Sequence, residues 1–489
     1  MNKLLFLLLC SGLLVAQNAE NGPLSLQLSE AVQRAKEQSP SYHRAINTAE
    51  NRYWNYRQFK ASNLPQVRFN STFPDYSSSI TRVTQPDGTY SFPLREQVFM
   101  QGELSIDQNI FLTGGNLSVS SGLQRTNVSS PEVRTDFYST PISVSYFQPM
   151  ILYNQLKWQQ RIQPLLYKES QRQYDEDLER IAAEVTDLYF AALSAEARVK
   201  IAELNVQNND TLFKIAQGRY NLGKIAENDL LQIELNLLNA RNAMRSAGLD
   251  YALASRELKR FLEMDVEADV RLNIPKDARF VQVGVDEALV QAQNNRQAVL
   301  EFRRRRLEAE QNVAQARSEA GYNLNVRANF GLNQQAGSLT GVYQDPLRQQ
   351  NLAVQLSFPI VDWGQAKSRV RRAKANQDLV EVNVQQDEVN FEQEIYLQVM
   401  NFNMQQDQLM IAARADTVAQ KRYDVTKARY LTGKISITDL NLAQSEKDNA
   451  RLAYINALRS YWLSYYTLRR LTLFDFISRS RVDYDEGSF

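Results

Sequence analysis

The stretch RYNLGKIAENDL at residues 219–230 recurs as RYLTGKISITDL at 429–440. The step that carries the first onto the second also carries Asn239-Ala240-Arg241 onto Asn449-Ala450-Arg451, Tyr251 onto Tyr461, Arg260 onto Arg470 and, upstream, Pro149 onto Pro359. A second register pairs Glu30-Ala31 with Glu287-Ala288 and Phe73 with Phe330, so the first copy carries an insertion between Phe73 and Ile142. Self-similarity over this length marks two copies of one structural plan.

Punctuation inside each copy is sparse. Residues 165–217, 365–432 and 434–486 contain neither Gly nor Pro, and runs of that length fit only long helices. At about 1.5 Å per residue the run 365–432 extends ~100 Å. Between Leu178 and Val199 the apolar and small residues Leu178, Ile181, Val185, Leu188, Ala192, Ala195 and Val199 alternate in steps of three and four, which predicts a coiled-coil seam.

The remaining segments divide accordingly. The first repeat is expected over 17–262: helix 29–62, strands near 64–73 and 142–150 around an inserted β segment 74–141, long helix 151–220, tip turn 221–224 and return helix 225–262. A connector over 263–284, broken by Pro275, leads into the second repeat, 285–472: helix 286–319, strands near 322–332 and 351–360, long helix 363–431, tip turn 432–434 and return helix 435–472. A tail follows at 473–489. The strands are read from period-two alternation: Val67, Phe69 and Phe73; Ile142, Val144 and Tyr146; Leu324, Val326 and Phe330; Leu352, Val354 and Leu356. A hairpin from Glu103 to Gly122, turning at Thr113–Asn116, is expected as an extension outside the membrane, on its polar flanks, with added barrel strands as the alternative.

Composition excludes whole classes. The chain of 489 residues sets 56 Lys+Arg against 55 Asp+Glu, with no global basic field to attract nucleic acid. Lys3, an apolar run from Leu4 to Val15 and the small Ala16 have the form of a signal peptide, residues 1–16, and the only cysteine, Cys10, lies inside it. Beyond it nothing approaches the ~20 apolar residues of a membrane-spanning helix, so any membrane entry must be made by strands. Such strands must close into a barrel, and four or six per chain fall short of the about eight of the smallest common barrels. An oligomer sharing one barrel follows. His43 is the only histidine, and no phosphate-binding or nucleophile-elbow motif is present; neither an enzyme nor a cofactor is expected.

Signal peptide, tandem copies, strand pairs before long helices and R-Y-x-x-G-K-I-x-x-x-D-L in both copies together resemble the TolC-type outer-membrane efflux protein family, over residues 24–472. The segment LAVQLSFPIVDWGQAKSRVRRAKAN at 352–376 resembles the family's strand-to-helix junction. The resemblance implies a mixed fold, a membrane β-barrel continued by a long α-helical coiled-coil barrel, shared by a homotrimer in the outer membrane of a Gram-negative bacterium. It implies a passive exit duct for efflux or type I secretion. Its partners would be a periplasmic adaptor protein and an inner-membrane transporter of RND or ABC type. The competing reading is a secreted coiled-coil structural or adhesive protein.

The resemblance also assigns residues. The tip positions Tyr220, Leu222, Gly223, Lys224, Tyr430, Thr432, Gly433 and Lys434 are expected to meet the adaptor. Glycine at a helix end equally serves as a left-handed cap with no partner. Asp229, Asp439 and Tyr430 match positions of the family's periplasmic constriction, although Ser436-x-x-Asp439 also has the spacing of a capping box. A second acidic position is Leu442 here and a basic one is Ile435, so closure would fall to other contacts, with Asn228, Lys224 and Lys434 as candidates. Apart from the resemblance, Trp363, Arg369, Arg371 and Arg372 follow a strand as a basic cluster beside an interfacial aromatic; the pattern suits outer-membrane lipid headgroups at the interface or, alternatively, an ordinary charged surface. The run Arg303–Arg306 points in four directions around a helix and is expected to be a solvated surface.

Overall fold

The computed structural model describes residues 24–130, 132–275, 278–432 and 434–484. The first copy opens with β1 (Leu24–Leu26), α1 (Leu28–Gln38) and α2 (Pro40–Ser62). Then come β2 (Gln66–Ile80), the small pair β3 (Val83–Thr84) and β4 (Tyr90–Ser91), β5 (Leu94–Ile110), β6 (Gly115–Ser130) and β7 (Arg134–Gln148). It ends with α3 (Gln155–Asn221) and α4 (Glu227–Phe261). After β8 (Val270–Leu272) the second copy runs through α5 (Val285–Asn295), α6 (Gln297–Ala320), β9 (Asn323–Ala336), β10 (Leu347–Ser357), α7 (Gln365–Leu431) and α8 (Ile437–Thr472). The tail holds β11 (Phe474–Asp475) and β12 (Ser480–Arg481). The expected signal peptide, with Cys10, and Gly433 lie outside the described residues.

Each opening helix, expected to be continuous over 29–62 and 286–319, is two helices. In the first copy the cap is local: Ser39 is fully buried, its Oγ accepts the Tyr42 N–H at 3.0 Å, and Pro40 starts the next helix, where its missing N–H costs nothing. In the second copy Arg296 turns out of the helix and the Gln297 N–H donates to the Glu176 carboxylate of α3 at 2.9 Å. There the cap comes from another helix.

The chain gathers into two compact units, one of residues 24–43, 179–282 and 401–467, the other of 44–178, 283–400 and 468–484. In the first unit α3 packs on α8 through the Asp187–Arg459 ion pair (2.6 Å) and the Asn205–Asp448 hydrogen bond (2.8 Å). The Phe402 and Tyr461 rings join α7 to α8, with centroids 5.8 Å apart. The seam expected on α3 is wider than a coiled-coil stripe. Ile181, Val185, Ala192 and Ala195 are buried as expected, Leu188 and Val199 only half so, and Ala182, Tyr189, Phe190 and Leu193 are buried as well. The extra burial has a cause. β1 and β8 pair in parallel beside this stretch, and the Tyr189 hydroxyl accepts the Asn273 N–H at 3.0 Å and reaches the carbonyls of Leu26 (2.9 Å) and Asn273 (2.6 Å). The repeat-related Tyr251 and Tyr461 hold the connector at two points, donating to the Val270 carbonyl (3.4 Å) and the Arg279 carbonyl (2.7 Å).

The second unit contains a six-stranded antiparallel sheet in the order β10-β9-β7-β6-β5-β2. The inserted segment supplies β5 and β6, whose turn, with Gly114 at φ 82°, is tied to the start of α3 by the Asn154 amide donating to the Phe111 carbonyl at 2.7 Å. The inserted hairpin thus joins the sheet as added strands. Its polar residues are one face of alternating strands, the other face carrying the exposed Leu104 and Ile106. The outer strands β2 and β10 have no further neighbour among the described residues, and their apolar side chains are bare: Val67, Phe69 and Phe73 on one, Leu352, Val354 and Leu356 on the other.

In the same unit α2, α3, α6 and α7 pack in that order. Tyr56 of α2 stacks on Tyr167 of α3 at 4.7 Å, Arg304 of α6 pairs with Glu169 of α3, and Phe302 of α6 meets Phe391 of α7 at 6.3 Å. No described helix is long and apolar enough to cross a membrane.

Candidate functional site: the paired helix tips

The residues anticipated for the tips and the constriction lie where α3 meets α4 and α7 meets α8, all within the first unit. At the first tip Gly223 takes φ 68°, the Lys224 N–H donates to the Arg219 carbonyl (2.9 Å) and the Gly223 N–H to the Tyr220 carbonyl (2.8 Å). That pair of bonds is a Schellman cap, which requires the left-handed conformation that glycine adopts without strain. At the second tip the Lys434 N–H makes the same reach to the Arg429 carbonyl at 3.0 Å. So short a turn leaves its neighbours in solvent: Tyr220, Leu222, Lys224, Thr432 and Lys434 are exposed.

The two tips are not chemically equivalent. Ser436 caps α8 reciprocally: its Oγ accepts the Asp439 N–H at 3.2 Å, while Asp439 Oδ2 accepts from the Ser436 hydroxyl (2.8 Å) and backbone N–H (3.2 Å). The Ser436 hydroxyl, then its N–H, hold the Asp439 carboxyl below the usual carboxylate value. In the first tip Ala226 occupies the cap position, and its methyl offers no hydrogen-bond acceptor. Asp229 and Asn228 are exposed there, and the Asp229 carboxylate has no hydrogen-bond or ion-pair partner among the described residues. Tyr430 is half-buried. Burial raises its phenol above the usual value, Arg219 opposes, and the charge of Asp229 adds to the rise.

Behind the tips an apolar cluster binds the two hairpins: Leu212 and Ala216 of α3, Ile233 of α4, Tyr423 of α7, Leu440 and Ala443 of α8, with Leu230, Tyr430 and Ile437 packed on it. A polar belt surrounds Tyr423. The Lys447 ammonium lies 4.5 Å from its ring centroid and that of Lys427 5.9 Å, Lys427 donates to Asn208 Oδ1 at 3.1 Å, and the Asn208 amide reaches the phenol oxygen at 3.4 Å. Sequence reasoning passed over Tyr423, Lys427, Lys447 and Asn208. The available signal was the seven-residue spacing of Tyr423 and Tyr430, which places both on one helix face. Leu442 is exposed and Ile435 half-buried, where the family resemblance would set charges.

The four residues assigned to a membrane interface separate. Trp363 is 96% exposed and sits at φ 52° beside Gly364 at φ 87°, in a turn held by Asp362, which accepts the N–H groups of Gly364 (2.9 Å) and Ala366 (2.8 Å). Arg369 is half-buried and paired with Glu319 at 3.2 Å. Arg371 and Arg372 are exposed with no ion-pair partner among the described residues.

The chain thus combines a six-stranded antiparallel sheet with two helices of 67 residues each, α3 and α7. The family model for outer membrane efflux proteins matches residues 104–262 and 288–472, and the chain belongs to that family. It is a family of outer-membrane channels rather than enzymes. Among solved structures, the outer membrane channel CmeC of Campylobacter jejuni aligns with TM-score 0.66 and 17% identity, covering 94% of this chain and 87% of that one. MtrE of Neisseria gonorrhoeae, described in its open state, aligns with TM-score 0.62 and 14% identity over 94% and 91% of the two chains. VceC of Vibrio cholerae gives 0.62 and 13% over 91% and 95%. At these identities the likeness is one of fold. No curated protein sequence matches this chain at a significant level.

Proposed function

We propose that the protein is the passive exit duct of a tripartite efflux or type I secretion system. Three copies form one β-barrel in the outer membrane and one α-helical barrel in the periplasm. The observation that carries this reading is the six-stranded sheet with bare apolar edges at β2 and β10. Unpaired strand edges are not tolerated in hydrocarbon. Three such sheets joined edge to edge fall in the range where barrels of about 16–18 strands leave an aqueous channel.

In this reading the two tips, with Tyr220, Leu222, Gly223, Lys224, Tyr430, Thr432, Gly433 and Lys434, receive a periplasmic adaptor that links the duct to an inner-membrane RND or ABC transporter. Asp229 and Asp439, each repeated three times about the axis, concentrate negative potential at the periplasmic mouth and favour cations. The Tyr423 cluster and belt hold the two hairpins of each subunit in the closed arrangement, with Asn228, Lys224 and Lys434 at its rim. Trp363, Arg371 and Arg372 face the headgroups of the periplasmic leaflet.

The test is fractionation of native membranes followed by electrophoresis in detergent. A duct co-sediments with outer membranes and runs as a trimer that cysteines introduced along β2 and β10 crosslink. A protein released by salt or urea as a monomer contradicts the proposal.

A further inference from the structure

The run Arg303–Arg306, expected to be solvated, is mostly committed to partners, and three of its four members meet carboxylates. Arg304 donates to Glu169 at 2.6 and 3.1 Å, Arg305 to Asp387 at 2.7 Å, and Arg306 forks onto both Glu381 (2.9 and 3.1 Å) and Glu388 (2.7 and 3.0 Å). Arg303 is the exception: it is exposed and has no hydrogen-bond or ion-pair partner among the described residues. It lines a cavity of about 570 Å³ between α3 and α6 together with Arg161, Lys168 and Arg306, against a single lining carboxylate, Glu310.

Arg161 and Lys168 are likewise exposed and unmatched by any acid among the described residues, the Arg161 guanidinium lying 5.1 Å from the Trp158 ring centroid. Helical spacing brings these cations together. Residues 161, 165 and 168 share one face of α3, and 303, 307 and 310 share one face of α6. Convergent like charges repel, and a concave site focuses their field, so a bound anion relieves the repulsion. Two guanidinium forks and an ammonium suit the tetrahedral oxygens of phosphate. The volume falls in the range of small-ligand sites.

Position adds to the argument. α3 starts at Gln155, shortly after β7 ends at Gln148, so at about 1.5 Å per residue the cavity residues of α3 lie ~8–20 Å along the helix from its first turn. We propose that this cavity binds a phosphate-bearing anion, held by Arg161, Lys168 and Arg303. Such an anion is either a lipid headgroup reached from the nearby strand ends or a soluble phosphate ester.

The full chain, purified in uncharged detergent, is titrated calorimetrically with inorganic phosphate and with glycerol 3-phosphate. In parallel it is placed in nanodiscs of phosphatidylglycerol or phosphatidylcholine and retained lipid is read by native mass spectrometry. Binding of the soluble probes identifies a free phosphate site, and selective retention of phosphatidylglycerol alone identifies a headgroup site. In either case Lys168→Gln with Arg303→Gln weakens binding about tenfold or more, as expected for lost charge-assisted hydrogen bonds, while Arg303→Lys retains part of it. Should the double variant fail to assemble, Arg161→Gln tests the same prediction at another exposed position. A native chain that binds no probe, or an assembled charge-removal variant that binds as well as the native chain, overturns the proposal.

Discussion

Ser436 and Asp439 close a reciprocal cap, each side chain hydrogen-bonded to the other residue's backbone N–H at 3.2 Å, at the start of the return helix of the second repeat. The matching position of the first repeat is Ala226, so Asp229 lacks the partner that its counterpart has. Two aspartates that the repeat equates are therefore bound differently, one engaged with its own helix and the other open to solvent.

If the tips form the proposed mouth, this asymmetry orders its response to neutralisation. In planar bilayers Asp229→Asn is expected to lower cation preference more than Asp439→Asn, because an uncommitted carboxylate projects more of its field into the opening. Equal effects, or none from Asp229→Asn, would refute the ordering.

The same cap gives a pH dependence. Because the folded Asp439 carboxyl titrates below its ordinary value, its contribution to the start of α8 is present above the unfolded carboxylate value. It is lost as pH falls through the depressed one. Amide exchange at residues 437–440, followed from about pH 5 to about pH 3, should show protection falling at the acid end, and Asp439→Asn should remove that step. Ser436→Ala should weaken the helix start by about 1 kcal/mol at neutral pH.

Tyr423 separates ring from hydroxyl. Tyr423→Phe keeps the packed ring and both ammonium contacts and loses only the long Asn208 bond, so it should cost less than about 1 kcal/mol. Tyr423→Ala should cost about 3–5 kcal/mol and, in the proposed duct, raise closed-state conductance. Similar thermal unfolding of the two variants would show that the ring does not hold the hairpins.

Tyr461 is fully buried and bonds the Arg279 carbonyl at 2.7 Å, whereas Tyr251 reaches Val270 only at 3.4 Å. Tyr461→Phe should destabilise by about 1 kcal/mol and speed exchange in the connector near Arg279, with a smaller effect from Tyr251→Phe. Hydrogen exchange resolved by mass spectrometry reads both.

The bare face of β10 offers a test of assembly. Val354→Lys places a charge among exposed apolar residues, at a cost of about 2–4 kcal/mol if they face the middle of the bilayer. The proposed detergent-stable trimer should fall in yield while the helical content by circular dichroism stays. An undiminished trimer would place this face away from lipid.

What was legible in the sequence was local or periodic. The repeat, the long helices and the strand alternation follow from missing glycine and proline and from spacing of apolar residues, which act within a few residues along the chain. Gly223 announced its Schellman cap and Ser436 its box for the same reason. The repeat alone could not say that Ala226 leaves Asp229 unbound.

Sequence by itself determined where helices can run, but not that the first opening helix breaks at Ser39-Pro40: proline alone does not end a helix, as Pro164 inside α3 shows, and the break there is fixed by the buried Ser39, whose Oγ accepts the Tyr42 N–H. Only the tertiary structure decided the matching break at Arg296-Gln297 as well. The Gln297 N–H freed there is satisfied by the Glu176 carboxylate on α3, far away in the chain. The same holds for the sheet. Alternation marked the strands, but that β7 pairs with β9, joining the two repeats and leaving β2 and β10 as open edges, depends on backbone hydrogen bonds between distant segments, which no local pattern encodes.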